Sequence, residues 1–368
     1  MAGTTLTDTM PSAAYAVLEI DLGAIVANWR TLHAAHGGRP TAAVLKADAY
    51  GTGAAQATGA LFAAGCRHFF TAHLSEALAI RPLVPGALLS VLNGMLPGTE
   101  SEYVGHDIVP VLGSLADIAR WAAEAARRGR VLPALLHVDT GMARLGLEPA
   151  EVAALADTPA LLAGIDLRYI MTHLVAADDP ADPTSAEQLR QFQAACGQLP
   201  PAPRSLANSA GLFLGPQFRS DLARAGAALY GIDPQPGIAM RPVARLTARV
   251  LQVRQVPAGE GVGYNATWRA ARPSRIAVLG VGYADGWPRA LSNRGAASFD
   301  GTPLPLVGRV SMDLTTYDVT DHPGIGPGDW LELLGPDRPL AAVAAEAQAS
   351  PYEILTRLGQ RYARVWRA

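Results

Sequence analysis

The chain has 368 residues, a length that suits one or two domains. Apolar residues make up 49% and charged residues 17%, which excludes a disordered or low-complexity chain. The net charge of −2, from 30 basic and 32 acidic residues with no basic stripe, excludes a nucleic-acid footprint. Two cysteines, Cys66 and Cys196, stand far apart in sequence, and nothing around them is spaced like a metal site. They predict a reduced, cytoplasmic chain with no bound metal. The first residues, MAGTTLTDTMPSAAYAVLEI, carry neither a basic start nor a long apolar run before Tyr15, so no leader segment is expected. No stretch approaches the roughly 18 uninterrupted apolar residues of a membrane span, so no membrane partner is expected.

Along the first two thirds, short apolar runs alternate with longer helical stretches. The runs cover 16–22, 41–47, 68–73, 87–94, 108–114, 134–141, 167–174 and 204–211. Apolar runs without strict alternation suit strands buried on both faces, as in a parallel sheet. Between two of them, Leu115, Ile118, Trp121 and Ala125 recur at helical spacing, and Gly129 is a helix stop. Eight strand-like runs with helical connections predict an α/β fold, a (β/α)8 TIM-like barrel, over residues 1–241. Periodicity alone does not close a barrel, so a doubly wound open sheet stays open as an alternative.

After Pro242 the texture changes. Arg245, Thr247 and Arg249 alternate with Leu246, Ala248 and Val250, the pattern of a half-buried strand. Gly and Pro then punctuate short apolar runs to about Leu334, and a short helix follows from about Pro351. Residues 242–368 therefore read as a mostly-β C-terminal domain.

The segment AAVLKADAYGTG places Lys46 at the end of an apolar strand, where a barrel holds its active site. A partly desolvated amine there has a lowered pKa and can form a Schiff base with an aldehyde. Taken alone, a lysine at a strand end is more commonly a solvated one. Small residues in ANSAG and RAGAA, taken alone, likewise read slightly better as tight turns.

KADAYGTG, HVDTGMARLG, THLVAADD, ANSAG, RAGAALYGIDP, GVGYNATW, GYADGWPR and GRVSMDLTTYDV occur in this order. Together they resemble the motifs of the alanine racemases, over almost the whole chain from about Tyr15 to Val365. The resemblance implies a pyridoxal 5'-phosphate-binding barrel followed by a β-domain, and a cytoplasmic homodimer with shared active sites. It implies interconversion of L- and D-alanine, supplying D-alanine for peptidoglycan.

The resemblance also assigns roles. Lys46 carries the cofactor and serves the proton of D-alanine, and Tyr264 serves that of L-alanine. Two bases on opposite faces of a planar centre are what racemisation demands. Tyr50, Asn208 and Ser209 belong to the phosphate site, with backbone N–H donors at Gly226 and Ala227. Arg224 faces the pyridine nitrogen. An arginine offers no lone pair and stays charged, so it keeps that nitrogen unprotonated. Arg144 bonds both the Tyr264 phenol and the cofactor's 3-hydroxyl, and His173 links the phenol to Arg224. The backbone N–H of Met312 holds the substrate carboxylate, Asp313 lines the site, and Tyr283 stands at its entrance.

Two positions depart from the family pattern. His137 stands where many members carry a lysine, often carbamylated, beside the arginine matching Arg144. An imidazole forms no stable carbamate, so either another anion such as chloride sits there or a neutral His137 accepts a hydrogen bond from Arg144. Gln360 falls where a phosphate-binding tyrosine belongs, and Tyr362 is out of register by two residues. Three rivals to alanine racemisation remain: a broader racemase acting on serine or lysine, a barrel-type decarboxylase, and a non-enzymatic cofactor carrier. Decarboxylases of this type set a carboxylate at the pyridine nitrogen, against which Arg224 argues. The second domain, with Tyr264 and Met312, argues against the carrier.

Overall fold

The computed structural model describes residues 13–368, so part of the stretch expected to hold no leader lies outside the described residues. The chain divides into two compact units. One is Ala24–Arg241; the other is Pro242–Ala368 together with the described residues up to Gly23. The first strand, β1 (Ala16–Asp21), belongs to the second unit.

Eight parallel strands build the first unit: β2 (Thr41–Val44), β3 (His68–Thr71), β4 (Leu88–Val91), β5 (Val109–Leu112), β6 (Leu132–His137), β7 (Ile165–Met171), β8 (Arg204–Ser205) and β9 (Ala223–Ala225). They lie in the order β8-β7-β6-β5-β4-β3-β2-β9. The two end strands also meet. The N–H of Leu222 donates to the Arg204 carbonyl and that of Arg224 to the Ala207 carbonyl. The sheet is thus a nearly closed barrel with helices between its strands. β2 and β5 are buried along their whole length, which is why their sequences do not alternate.

Helix Leu115–Arg128 shows how the sequence sets the connections. The Ser114 hydroxyl accepts the Asp117 N–H and caps the start, while Arg127 and Arg128 suit the carbonyl end. Ile118, Trp121 and Ala125 are buried, and Gly129, at φ 60°, ends the helix in the left-handed region.

The second unit is mostly β. Its long strand β10 (Ala244–Val256) pairs antiparallel with β1, Ser274–Leu279 and Trp330–Leu334. β1 also pairs parallel with the C-terminal strand Ala363–Arg367. Helices Leu340–Ala347 and Pro351–Thr356 complete it. Residues 16–22, expected as the first barrel strand, thus belong to the other sheet. The eighth barrel strand is instead Ala223–Ala225, in a stretch not among the eight expected strands. Among the described residues, no helix is long and apolar enough to cross a membrane.

Candidate active site

The site in the first unit is assembled where the barrel strands end. Lys46 follows β2 by two residues, and the chain then makes an unusual bend. Ala47, Asp48, Ala49 and Tyr50 all lie in the left-handed region, at φ 53° to 55°. For L residues that conformation costs roughly 1–2 kcal/mol each, so the surroundings must hold it. The Gly51 and Gly53 N–H groups donate back to the carbonyls of Ala47 and Asp48, and the Asp48 carboxylate accepts the Ala54 N–H at 2.7 Å. The bend turns Tyr50 inward. Its ring stacks on Tyr230, with centroids 4.7 Å apart, and the Tyr230 hydroxyl donates to the Val44 carbonyl.

Opposite Tyr50 lies an anion cradle. A Cβ on Gly226 would stand 2.7 Å from the Tyr50 hydroxyl, so only glycine leaves that space open. The Ser209 hydroxyl accepts the N–H groups of Gly226 and Ala228, at 2.9 and 3.4 Å. Asn208 shapes the turn: its amide donates to the Leu174 carbonyl and its oxygen accepts the Gly211 N–H. The hydroxyls of Ser209 and Tyr50 beside the backbone of Gly226 make a donor set of the kind that fits a phosphate.

Arg224, on β9, is buried. Its Nη1 donates to the carbonyl and hydroxyl of Ser205, at 2.9 and 2.6 Å, and its Nη2 to the Thr172 carbonyl. Burial lowers its pKa to about 10, which still leaves it cationic at neutral pH. It is a fixed positive charge close to His137 and His173.

Burial and that charge together act on the two nearby histidines. Burial, then the Arg224 guanidinium, lower the pKa of His137 to about 4, against a smaller opposing effect of Asp139. The same two causes, joined by Arg144, Lys46 and His137, lower that of His173 to about 3. Both imidazoles are neutral at physiological pH. The Lys46 amine is also lowered, by burial and by Arg144, with Glu76 opposing. An amine so placed is primed to act as nucleophile and base. Arg144 is exposed on the loop after β6 and, with His137, Asn93 and Asp117, lines a cleft of 590 Å³.

Sequence reasoning missed the residues that hold this set in place. Gln188 donates to the Thr140 hydroxyl and the His173 carbonyl and accepts the Val175 N–H. Thr140 in turn bonds Thr172 at 2.7 Å, and the Thr172 carbonyl receives Arg224. A signal existed: Gln188 lies on the buried stripe of helix Thr184–Gln198 with Phe192 and Ala195, where a polar side chain needs partners. Lys46 had a stronger one, for it is the only lysine among the 368 residues.

The remaining site residues lie in the second unit. Tyr264 follows Gly263 in a tight turn and is 68% exposed. Tyr283 and Met312 are brought together: Tyr283 N–H donates to the Ser311 carbonyl and Ala284 N–H to that of Met312, both at 2.9 Å. Asp313 pairs with Arg361 at 2.8 Å, and Arg361 also pairs with the buried Asp285. Gln360 is exposed, whereas Tyr362 is buried and its hydroxyl has no partner among the described residues. Burial raises the pKa of that phenol.

Two family models match the chain: alanine racemase, N-terminal domain, over residues 20–234, and alanine racemase, C-terminal domain, over residues 243–366. The chain belongs to the alanine racemase family. Among relatives, an alanine racemase of Acidiphilium cryptum is 56% identical, covering 95% of this chain and 98% of its own. One of Brucella abortus is 48% identical, covering 98% and 95%. The crystal structure of the Bartonella henselae alanine racemase with covalently bound pyridoxal phosphate superposes with a TM-score of 0.94 at 41% identity, over 96% of this chain and all of that one. The biosynthetic alanine racemase of Pseudomonas aeruginosa gives 0.87 at 32% identity, with 96% and 100% covered. The alanine racemase match thus spans both units.

Proposed function

We propose that this chain interconverts L- and D-alanine with pyridoxal 5'-phosphate, using Lys46 and Tyr264 as opposed proton carriers. One observation carries the reading: the only lysine in the sequence stands at a barrel strand end, with a depressed amine pKa, in the same barrel mouth as a phosphate-shaped cradle and a buried arginine.

The bound cofactor would supply an aldehyde for amines and an electron-withdrawing ring that acidifies the substrate's α-proton. Lys46 would anchor it, and Ser209, Tyr50 and the backbone of Gly226 and Ala227 would hold its phosphate. Arg224 can only donate and keeps its own proton and charge, so it would leave a pyridine nitrogen beside it unprotonated. Arg224 would thereby keep the bound cofactor a weaker electron sink, at some cost in rate but with less misplaced protonation. Neutral His173, beside Arg224, can link it to the Tyr264 phenol by hydrogen bonding without adding a second cation. Lys46 takes or gives the α-proton on the face of D-alanine, and Tyr264 on that of L-alanine. Arg144 stabilises the phenolate form of Tyr264 by charge. Met312 N–H binds the substrate carboxylate, with Asp313 and Tyr283 at the approach.

The reading includes a homodimer with shared sites, in which Tyr264, Met312 and Asp313 come from a neighbouring chain. The exposure of Tyr264 and Met312 supports it. Two free, buried cysteines, Cys66 and Cys196, support a reducing, cytoplasmic setting, where D-alanine would serve peptidoglycan synthesis.

The test is direct because there is one lysine. Borohydride reduction of the cofactor-loaded protein should fix cofactor to Lys46, and Lys46→Ala should abolish both the linkage and the racemisation of alanine. A reducible linkage surviving in Lys46→Ala overturns the assignment. Rates on L-serine and L-lysine alongside L-alanine decide between a narrow and a broad racemase.

A further inference from the structure

The left-handed stretch that follows Lys46 is held from outside by a residue of the helix that follows the next strand. Glu76 lies in the first turn of helix Leu74–Ile80. Its Oε2 accepts the N–H groups of Ala72 and His73, at 2.8 and 3.0 Å, the second of which completes a capping box. A helix cap needs nothing more. Yet Oε1 turns away from the helix and accepts the Ala47 N–H at 2.7 Å. One carboxylate therefore ties the end of β3 to the residue bonded to Lys46, which is also the first residue in the left-handed region.

We propose that Glu76 is a positioning residue for Lys46: it fixes the start of the left-handed turn and keeps a negative charge beside the lysine amine. The proposal rests on Lys46 being the cofactor lysine. Its two parts act in different ways. The hydrogen bond to Ala47 sets where the Lys46 backbone points and thereby aims Tyr50 at the cradle. The charge opposes burial and the Arg144 cation, which both favour the neutral amine; His173, the other ionisable group facing Lys46, is itself neutral. Without Glu76 the amine loses a proton more readily, but from a less fixed position.

The single lysine makes both parts measurable. In cofactor-free protein, the pH dependence of labelling by an amine-selective reagent, located by mass spectrometry, reads Lys46 apart from the α-amine. Glu76→Ala should weaken pyridoxal phosphate binding about tenfold, the usual effect of losing a hydrogen bond to a charged group. Glu76→Gln keeps an acceptor oxygen but no charge. It should recover part of that affinity, while its labelling midpoint moves to lower pH than wild type. Ser350→Ala, which removes the hydroxyl cap of helix Pro351–Thr356, serves as the control. It should lower the melting temperature and leave cofactor affinity and the labelling midpoint alone. If Glu76→Ala and Glu76→Gln lower only the melting temperature, Glu76 is a helix cap and the proposal fails. If Glu76→Ala does not fold, Glu76→Gln decides: a wild-type midpoint overturns the proposal. Failure of the underlying reading looks different, since Lys46→Ala would then still hold cofactor covalently.

Discussion

Burial first, and then the Arg224 cation, lower the pKa of both histidines of the barrel mouth, and His137 is where this has the clearest consequence. Its folded pKa of about 4 lies below the ordinary value of 6.5. Between those values the unfolded chain binds more protons than the folded one, so stability falls as the pH drops through that window and is intact above 6.5. His173 adds to the same slope, down to about 3. For His137 the loss amounts to at most about 3 kcal/mol. In cofactor-free protein, the urea midpoint should therefore fall from pH 6.5 to 4, and His137→Asn should flatten the fall. An unchanged slope in His137→Asn would mean that folding does not lower the pKa of this imidazole. The residue also bears on chemistry. With Lys46 holding cofactor, no lysine is left to form a carbamate beside Arg144. Activity should be indifferent to removal of dissolved carbon dioxide, and a strong requirement for bicarbonate would refute this; a response to chloride at constant ionic strength would identify the anion that replaces it.

Two loops of the second unit work as one element, and a glycine makes that possible. A Cβ on Gly282 would stand 2.3 Å from the Met312 carbonyl oxygen and 2.4 Å from that of Ser311. Backbone cannot yield as a side-chain tip does, so Gly282→Ala must push apart the loops bearing Tyr283 and Met312. Overpacking of this kind costs about 1–3 kcal/mol. The expected result is a lower melting temperature and a raised KM for alanine, with borohydride fixation of cofactor at Lys46 unchanged. An unaltered KM would show that the two loops have no part in holding substrate. The same scale shows what the sequence could and could not reveal. Helix Leu115–Arg128 was legible because periodicity, cap and stop agree. β1 was legible as a strand but not as part of its sheet. Five of its six residues are buried, and strands buried on both faces read alike in either unit. β9 was invisible as a strand: Ala-Arg-Ala has no β-branched or aromatic residue, and its place is set by pairing with β2. The proposed site residues come from motif resemblance, whereas Glu76, Ser205 and Gln188 make bonds between segments distant in sequence, which periodicity does not encode.

At the scale of the whole molecule, the proposed reaction needs Lys46 and Tyr264 at one substrate, and they belong to different units. The resemblance supplies Tyr264 from a neighbouring chain, in a head-to-tail dimer with two equivalent sites. Two inactive proteins can test this. Lys46→Ala lacks the cofactor anchor, and Tyr264→Phe lacks the phenol. If Tyr264 acts across the interface, a mixed dimer holds one site with both defects and one site with neither. Random exchange of subunits makes about half of all dimers mixed, each with one of its two sites intact, so activity should recover to roughly a quarter of wild type. If Tyr264 acts within its own chain, every site keeps one defect and activity stays at the level of the separate mutants. Native mass spectrometry reports whether exchange has taken place. Complete exchange without recovery would rule out sharing between chains, while leaving Lys46 and Tyr264 as the two bases. Recovery would also predict a handed defect: in deuterated water, dimers of Tyr264→Phe alone should lose α-proton exchange of L-alanine far more than that of D-alanine, since the damaged face is the one the neighbour serves.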